Sequence, residues 1–332
     1  MSALDRILIR LPNWLGDLLL ARPLLHAVRR SHPGAEVRGV ASAPLLELLE
    51  ADKVLDRQDV WPSPGAERAA LEGRIRAWHP DAAIVLPPSF SSAWFAYRVS
   101  ATRRLGYAHE GRSVLLTHHP RRPRRGEVHL SDEYLALGRE LGVIPGEVPA
   151  LPVTEAACRA AEDLLGPAPS SGGNLVILGP GAIYGPAKRW SEERFAELGQ
   201  RAQQRGALVL VCGSAADAPL CERVARAVGG AARSVAGRTN LMTQASLCAR
   251  SWVTVSNDSG LAHLAASVGA PTVVIFGSTS SAWTAPLGEK VRIVQRAPVC
   301  SPCFQRRCSI GYRCLEAVTV AEVDRACREL AA

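Results

Sequence analysis

A repeated alternation of short apolar segments with amphipathic segments constrains the fold of this chain more than any other feature. In the N-terminal half, the strand-like segments Arg6–Arg10, Val37–Ala41 and Ala82–Leu86 are separated by segments with the apolar spacing of helices. The alternation restarts at the strand-like segment Leu175–Leu178 and continues toward the C-terminus. Because strand–helix alternation indicates parallel sheets with right-handed crossovers, the sequence predicts an α/β protein.

The two alternating runs are separated by Gly166–Gly173, a stretch of Gly, Pro, Ser and Ala that has the composition of a linker. A chain of 332 residues is long enough for two domains. We therefore predict two Rossmann-like parallel-sheet lobes that face a central cleft, with the first at 1–168 and the second at 174–332. Ligands of such sheets bind beyond the carboxyl ends of the strands, so functional residues are expected directly after strands.

Charge and composition narrow the classes of partner. The formal net charge of +8 favours a phosphorylated substrate, an anionic membrane face or nucleic acid, and a solvated basic surface is the alternative. Aromatic residues make up only 5% of the chain, and no basic stripe is interleaved with rings, so nucleic acid is the weakest of the three. We find no apolar run of about 18 residues and no secretory signal, and a cytoplasmic protein is expected.

The strongest candidate site follows the apolar segment Trp252–Val255, which has the pattern of a buried strand. A polar turn then leads into an apolar helix predicted at Leu261–Val268. The side chain of Asp258 or Ser259 is expected to cap the start of this helix.

The start of that helix is suited to an anion. The amides of Ser259, Gly260 and Leu261 are expected at the positive end of the helix dipole, where phosphate groups bind. His263 falls one turn further along the same face. A histidine that is merely buried in the core is the alternative, and the position beside a phosphate-type helix start favours a ligand contact instead.

Two further segments of the second lobe follow strands. The loop after Leu175–Leu178 is rich in glycine and proline and ends with Lys188 and Arg189, cations that suit a diphosphate. Solvated cations in an ordinary turn are the alternative, and spacing alone slightly favours that alternative. The segment Cys212–Asp217 either contacts a base or ribose or forms a plain turn, with Asp217 in the first turn of a helix.

In the first lobe, Asp17 lies at a predicted helix start after the strand Arg6–Arg10. It is either a favourable first-turn carboxylate or a general base that accepts a proton from a sugar hydroxyl. A dense cationic loop lies further along the chain, and it suits phosphate groups on an acceptor or forms a solvated loop. Its four arginines are Arg121, Arg122, Arg124 and Arg125.

Three of these segments together resemble the lipopolysaccharide heptosyltransferases, most closely the heptosyltransferase II branch. They are Pro12–Asp17, Gly185–Trp190 and Ser256–His263, and they occur in the same order over nearly the whole chain. The resemblance implies a GT-B fold, with the acceptor bound mainly by the first lobe and ADP-heptose by the second. It also implies transfer with inversion, with no cofactor and no metal ion.

The resemblance assigns roles to individual residues. Asp17 matches the catalytic base, and Lys188 matches the cation that binds the donor diphosphate and stabilises the departing ADP. The donor-binding residues implied are Lys188, Asp217, Thr239, Asp258, Ser259, Gly260 and His263, with Asp217 and Thr239 matched least well. The four arginines stay candidates for acceptor binding.

The partners implied are ADP-heptose and a phosphorylated inner-core lipopolysaccharide acceptor, without nucleic acid. Peripheral contact with the inner face of the cytoplasmic membrane stays open. Two alternatives to a transferase also stay open, a nucleotide-sugar 2-epimerase of similar fold and a non-catalytic nucleotide-sugar-binding protein.

A cysteine-rich segment stands apart from these motifs. Its four cysteines are Cys300, Cys303, Cys308 and Cys314. The first pair has metal-ligand spacing and the second pair does not, so reduced thiols are expected and a structural zinc site is the alternative.

Overall fold

The computed structural model describes residues 4–166 and 174–331. The predicted linker therefore lies outside the described residues, except for Gly166. The chain divides into two compact units, Met1–Pro149 and Ala150–Ala332. This division lies earlier in the chain than the predicted domain boundary, because a helix at Glu155–Leu165 packs on the second unit.

The first unit contains a parallel five-stranded sheet whose strand order is β3-β2-β1-β4-β5. Its strands are β1 (Arg6–Arg10), β2 (Glu36–Ala41), β3 (Arg57–Val60), β4 (Ala82–Val85) and β5 (Arg103–Leu105). Its helices are α1 (Leu15–Ser31), α2 (Ala43–Glu50), α3 (Ala66–Ala77), α4 (Phe90–Arg98) and α5 (Leu130–Arg139), with a 3₁₀ turn at Arg112–Leu115.

The second unit contains a parallel six-stranded sheet whose strand order is β11-β10-β9-β6-β7-β8. Its strands are β6 (Leu175–Gly179), β7 (Leu208–Val211), β8 (Arg233–Ser234), β9 (Val253–Asn257), β10 (Thr272–Phe276) and β11 (Val291–Gln295). Its helices are α6 (Glu155–Leu165), α7 (Glu192–Gln204), α8 (Ala218–Val228), α9 (Leu241–Ala249), α10 (Gly260–Ser267), α11 (Ser281–Thr284), α12 (Arg313–Glu316) and α13 (Val320–Ala331). Short 3₁₀ turns lie at Pro186–Lys188 and Ala215–Asp217.

The central strands of the second sheet are covered on both faces. β6, β9 and β10 are buried at every position, because helices cover both faces of a parallel sheet. β6 and β10 are mostly apolar, whereas β9 reads Val-Thr-Val-Ser-Asn. In each unit the strand order reverses between two central strands, β1 and β4 in the first and β6 and β9 in the second. Ligands of such sheets bind at this switch point, beyond the carboxyl ends of the strands.

The predicted fold class, an α/β protein with two Rossmann-like parallel-sheet lobes, is confirmed by these two sheets. Within residues 4–166 and 174–331, none of the helices is long and apolar enough to cross a membrane.

Candidate functional site

Two loops meet at the switch point of the second sheet, one after β6 and one after β9. Asn257, the last residue of β9, joins them: its Nδ2 donates to the carbonyl oxygen of Pro180 at 2.8 Å, and its Oδ1 accepts from the amide of Trp190 at 2.9 Å. Asn257 is fully buried. Asn257 therefore joins two segments that are far apart in sequence. One is the loop at 180–190, which contains Lys188 and which we call the lysine-bearing loop, and the other is the turn that contains Asp258.

Lys188 and Asp258 form a buried ion pair at this point. Lys188 Nζ lies 2.5 Å from Asp258 Oδ2, and the two side chains are 14% and 3% exposed. Thr279 Oγ1 donates to the same carboxylate oxygen at 2.5 Å. The ammonium group also lies 5.0 Å from the centre of the Tyr184 ring. A cation is thus held in place beyond the sheet, where a diphosphate is expected to bind.

Thr279 is a site residue that the sequence analysis missed. It follows β10 closely in sequence, it is 6% exposed, and its own carbonyl accepts from Gln295 Nε2 at 3.3 Å. The rule that functional residues follow strands would have identified it, had it been applied to β10 as well as to β6 and β9.

The start of α10 differs from the prediction in one respect. Ser259 is the N-cap, but within the described residues no side chain caps the helix. Ser259 Oγ instead pairs with Ser256 Oγ at 2.9 Å, and the Asp258 carboxylate is engaged by Lys188 and Thr279. The prediction that Asp258 or Ser259 caps this helix with its side chain is therefore wrong. Because the Ser259 side chain makes no capping hydrogen bond, the first-turn amides of the helix are available to an anion.

His263 and Gly260 both lie in α10. His263 is 6% exposed and so is held within the second unit, one turn after the helix start. Gly260 is the first residue of the helix, directly after the turn that carries Asp258.

Asp217 lies beside the lysine-bearing loop, and its carboxylate oxygens also accept hydrogen bonds from Ser214 in its own turn. Its carboxylate accepts from the amide of Ser214 at 3.2 Å and from Ser214 Oγ at 2.6 Å, and Arg189 Nη2 lies 3.7 Å away. A Cβ atom on Gly181 would lie 2.5–2.7 Å from the Asp217 carboxyl group. Glycine at this position therefore lets the loop after β6 approach Asp217.

Three hydroxyl groups of the second unit are buried without a hydrogen-bond partner among the described residues, those of Thr239, Ser246 and Ser278. The amide of Ser278 donates to the carbonyl of Ala187 at 3.2 Å, which places it against the lysine-bearing loop. Ser246 lies within α9. Since buried hydroxyl groups are ordinarily paired, the hydroxyl groups of Thr239 and Ser278 are candidates to contact a ligand.

In the first unit, Asp17 lies in the first turn of α1, which directly follows the loop after β1. Trp14 is the N-cap of this helix and is 57% exposed. Burial first, and then the negative charge of Asp17, raise the pKa of Tyr134 well above its ordinary value. The carboxylate therefore lies within electrostatic reach of the Tyr134 hydroxyl group.

Arg10, at the end of β1, is a second charged residue of this region and was not predicted. It is 2% exposed, and its Nη2 donates to Asn13 Oδ1 at 2.6 Å. Burial and the nearby Arg68 lower the pKa of Arg10 to about 9. Its guanidinium lies 4.2 Å from the centre of the Trp61 ring. A buried arginine thus shapes the loop that leads to Asp17.

The four arginines of the cationic loop have different environments. Arg122 Nε lies 2.8 Å from Glu133 Oε2, and the Glu133 side chain is only 1% exposed. Arg121, Arg124 and Arg125 are exposed. The structure therefore gives Arg122 a structural ion pair and leaves three arginines at the surface.

Comparison of the sequence with known proteins identifies a family. The sequence profile of Glycosyltransferase family 9 (heptosyltransferase) matches residues 68–313. The chain belongs to glycosyltransferase family 9. The predicted recognition and enzyme class, a glycosyltransferase of the heptosyltransferase family, are thereby confirmed.

Relatives of this family 9 glycosyltransferase match it over most of their length. Lipooligosaccharide heptosyltransferase 2 of Haemophilus influenzae is 32% identical over 87% of this chain and 88% of its own. Lipopolysaccharide heptosyltransferase 2 of Salmonella typhimurium is 30% identical over the same shares. The solved structure of Escherichia coli ADP-heptose LPS heptosyltransferase II superposes with a TM-score of 0.83, at 27% identity over 98% of both chains.

The cysteine-rich segment of this family 9 glycosyltransferase packs against the lysine-bearing loop. Arg306 Nε donates to the carbonyl of Tyr184 at 2.9 Å, and the carbonyl of Arg306 accepts from the amide of Ala187 at 3.2 Å. A Cβ atom on Gly185 would lie 2.6 Å from that same Arg306 carbonyl, and Gly185 has a φ of +145°. The segment therefore supports the loop that presents Lys188, and Gly185 makes the close approach possible.

The four cysteines themselves are free thiols. Cys308 Sγ accepts from the amides of Ile310 and Tyr312 at 3.4 and 3.3 Å, which lowers the pKa of Cys308, whereas burial raises the pKa of Cys314. In the part of the chain that the structure describes, no group of three or more His, Cys, Asp or Glu residues is arranged to hold a metal ion.

Proposed function

We propose that this protein transfers heptose from ADP-L-glycero-D-manno-heptose to the inner core of lipopolysaccharide, in a single displacement that inverts the anomeric centre. The observation that carries the proposal is the Lys188–Asp258 pair, which lies at the switch point of the second sheet directly before the start of α10. The relatives named lipopolysaccharide and lipooligosaccharide heptosyltransferase 2 support the choice of sugar and acceptor.

In this proposal the second unit binds the donor. Lys188 and the first-turn amides of α10 contact the diphosphate, and they stabilise the negative charge that grows on ADP as the bond to the anomeric carbon breaks. Lys188 must then share its ammonium group between the phosphate and Asp258. Since these groups supply positive charge at the leaving group, we propose that the reaction proceeds without a metal ion.

Asp217, Thr239, Ser259, Gly260 and His263 are proposed as further donor contacts. The buried, unpartnered hydroxyl group of Thr239 supports a contact with the nucleotide, because ligand binding would give that oxygen a partner. The local bonds of Asp217 to Ser214 support a role in which it shapes the binding loop as well.

The first unit is proposed to bind the acceptor. Asp17 takes the proton from a heptose hydroxyl group, whose oxygen then attacks the anomeric carbon of the donor. Arg121, Arg124 and Arg125 are exposed and suit the phosphate groups of the inner core. Arg122 was predicted to share this role, and its pairing with Glu133 favours support of the loop.

Release of ADP tests this function against its two alternatives. A transferase releases ADP only when ADP-heptose and a truncated core acceptor are both present, and the product gains one heptose by mass. An epimerase converts the donor alone, and a binding protein retains the donor without forming product. Product formation with donor alone, or none with both substrates, would contradict the proposal.

A further inference from the structure

Helix α4 of the first unit exposes a row of aromatic side chains. Phe90, Trp94 and Tyr97 are 47%, 44% and 49% exposed, and their spacing places them along one face of the helix. The ring centres of Phe90 and Trp94 are 6.5 Å apart and those of Trp94 and Tyr97 are 5.6 Å apart, both stacked. The opposite face, which includes Phe95, is buried in the core. This row is therefore an ordered apolar surface on a rigid helix.

A second exposed apolar residue lies on a neighbouring element. The 3₁₀ turn Arg112–Leu115 packs against α4, and Val114 in this turn is 84% exposed while Leu115 is buried. The guanidinium of Arg104 lies 5.8 Å from the centre of the Tyr97 ring. Together Phe90, Trp94, Tyr97 and Val114 form what we call the aromatic face. An exposed apolar patch with a polar rim is typical of an interaction surface.

The charge of the surrounding sequence indicates the partner. Between residues 82 and 126 the chain has eight arginines and a single acidic residue, Glu110. Half of these arginines belong to the cationic loop, and the others are Arg98, Arg103, Arg104 and Arg112. Arg112 is buried among backbone carbonyls and Arg122 pairs with Glu133, and the other six are at least partly exposed. These six arginines are complementary to a dense layer of negative charge.

Aromatic rings next to arginines are suited to the surface of a lipid bilayer. Tryptophan and tyrosine prefer the boundary between lipid headgroups and acyl chains, and arginines beside them contact lipid phosphates. We propose that the aromatic face inserts into the headgroup region of an anionic phospholipid bilayer, with the neighbouring arginines on the lipid phosphates. The proposal does not depend on the transfer reaction, because lipid binding is measured without substrates.

Vesicle sedimentation tests the proposal with the full-length chain. Vesicles of phosphatidylcholine containing phosphatidylglycerol should bind the protein about tenfold or more tightly than vesicles of phosphatidylcholine alone, and added salt should weaken the binding. The double variant Trp94→Ser/Tyr97→Ser should lose about tenfold or more in affinity, because it removes most of the inserted apolar area. Equal binding to the two vesicle types, or wild-type binding by the double variant, would overturn the proposal.

Two single variants serve as a matched pair that does not disturb the stacked rings. Val114→Asp places a negative charge on the aromatic face and should weaken binding to the anionic vesicles several-fold. Ile144→Asp places the same charge at another position of the first unit that is 71% exposed, and should not change it. If both variants weaken binding equally, only net charge matters and the aromatic face is not the docking surface.

A sugar-binding role for the same rings predicts a different result. If the aromatic face binds lipid, turnover with ADP-heptose and a lipid-free core acceptor should be the same for the double variant and the wild-type protein. A raised KM for the lipid-free acceptor would assign the rings to the acceptor sugars and overturn the lipid proposal.

Discussion

The two units differ in how they hold the charged residues beyond their sheets. In the second unit, the charged groups bind each other: Lys188 pairs with Asp258, and Thr279 donates to the same oxygen. In the first unit, the buried cation Arg10 donates to backbone carbonyls and to Asn13, and it packs on the ring of Trp61.

This difference separates two kinds of site. Lys188 of the second unit already has an anionic partner, Asp258. A diphosphate must therefore displace Asp258 or share the ammonium group with it. Changes there are expected to alter ligand binding and local stability together. Asp17 is half-buried in the first turn of α1. Its replacement is expected to act mainly on the chemical step.

The largest effect is expected for Asp17→Asn. It should lower kcat by about 10²–10⁴, because the acceptor hydroxyl group loses its general base. Affinity for ADP, measured by calorimetry, should not change, because the donor groups lie in the second unit. Glu67→Gln, which neutralises another first-turn carboxylate of the first unit, should leave kcat unchanged. Wild-type turnover by Asp17→Asn would exclude this residue as the base.

Lys188→Met should lower kcat/KM by about 10² or more and also weaken ADP binding, because it removes the cation at the leaving group. The exposed Lys290→Met in the same unit serves as the control.

Lys188→Met also leaves Asp258 buried without its cation, so a second variant is needed to separate stability from chemistry. Lys188→Met/Asp258→Asn should recover stability toward urea without recovering turnover. If turnover recovered as well, the lysine would be needed only to neutralise Asp258.

A buried ion pair of the first unit offers a structural counterpart to Lys188–Asp258. Arg22 Nε lies 2.7 Å from Asp52 Oδ2, and Asp52 is 9% exposed. Burial alone would raise the pKa of Asp52, but hydrogen bonds from Arg22 and His26 outweigh it and lower that pKa to about 2.

Because the folded pKa of Asp52 lies below the unfolded value, its contribution is present above about pH 4 and is lost as the pH falls toward 2. That contribution is about 2 kcal/mol of the free energy of unfolding. The free energy of unfolding of the wild-type protein and of Asp52→Asn can be measured in urea between pH 6 and pH 2.5, at roughly half-unit steps. The difference between the two free energies should shrink as the pH falls. A difference that is constant with pH would contradict the assignment.

Thr279→Val should lower kcat/KM by about tenfold, since a lost hydrogen bond to a charged group is worth about 1.5–3 kcal/mol. Without the threonine hydroxyl group, Asp258 is expected to hold Lys188 more tightly, so the loss should fall mainly on KM for the donor. Thr279→Ser keeps the hydroxyl group and should restore the wild-type values. A loss confined to thermal stability, with both kinetic constants unchanged, would make Thr279 purely structural.

The smallest effect is expected for the exposed arginines. Arg121→Gln/Arg124→Gln/Arg125→Gln should raise KM for a phosphorylated acceptor by about three- to tenfold at low salt, and less at high salt, because exposed charges are screened. An acceptor without phosphate should show no change. Arg122→Gln should instead lower stability, because it removes the cation that pairs with the buried Glu133.

The sequence predicted the central elements well and the edge elements poorly. β6 and β10 are apolar at nearly every position, so their pattern is that of strands covered on both faces. β9 reads Val-Thr-Val-Ser-Asn and is nevertheless buried throughout. β3 reads Arg-Gln-Asp-Val and is mostly exposed, and it lies at the edge of its sheet. Its strand conformation depends on pairing with β2, which a local pattern does not reveal.

What the sequence alone determined was the fold class and the position of each motif after a strand, because both follow from apolar periodicity and chain order. The tertiary structure decided which side chains meet. Asp258 looked like a helix cap because local spacing permits that bond, yet its carboxylate turns to Lys188 and Thr279, which follow two other strands. Parallel strands bring their carboxyl ends to one edge, so residues distant in sequence compete there for the same oxygen, and that competition is decided only by the folded sheet.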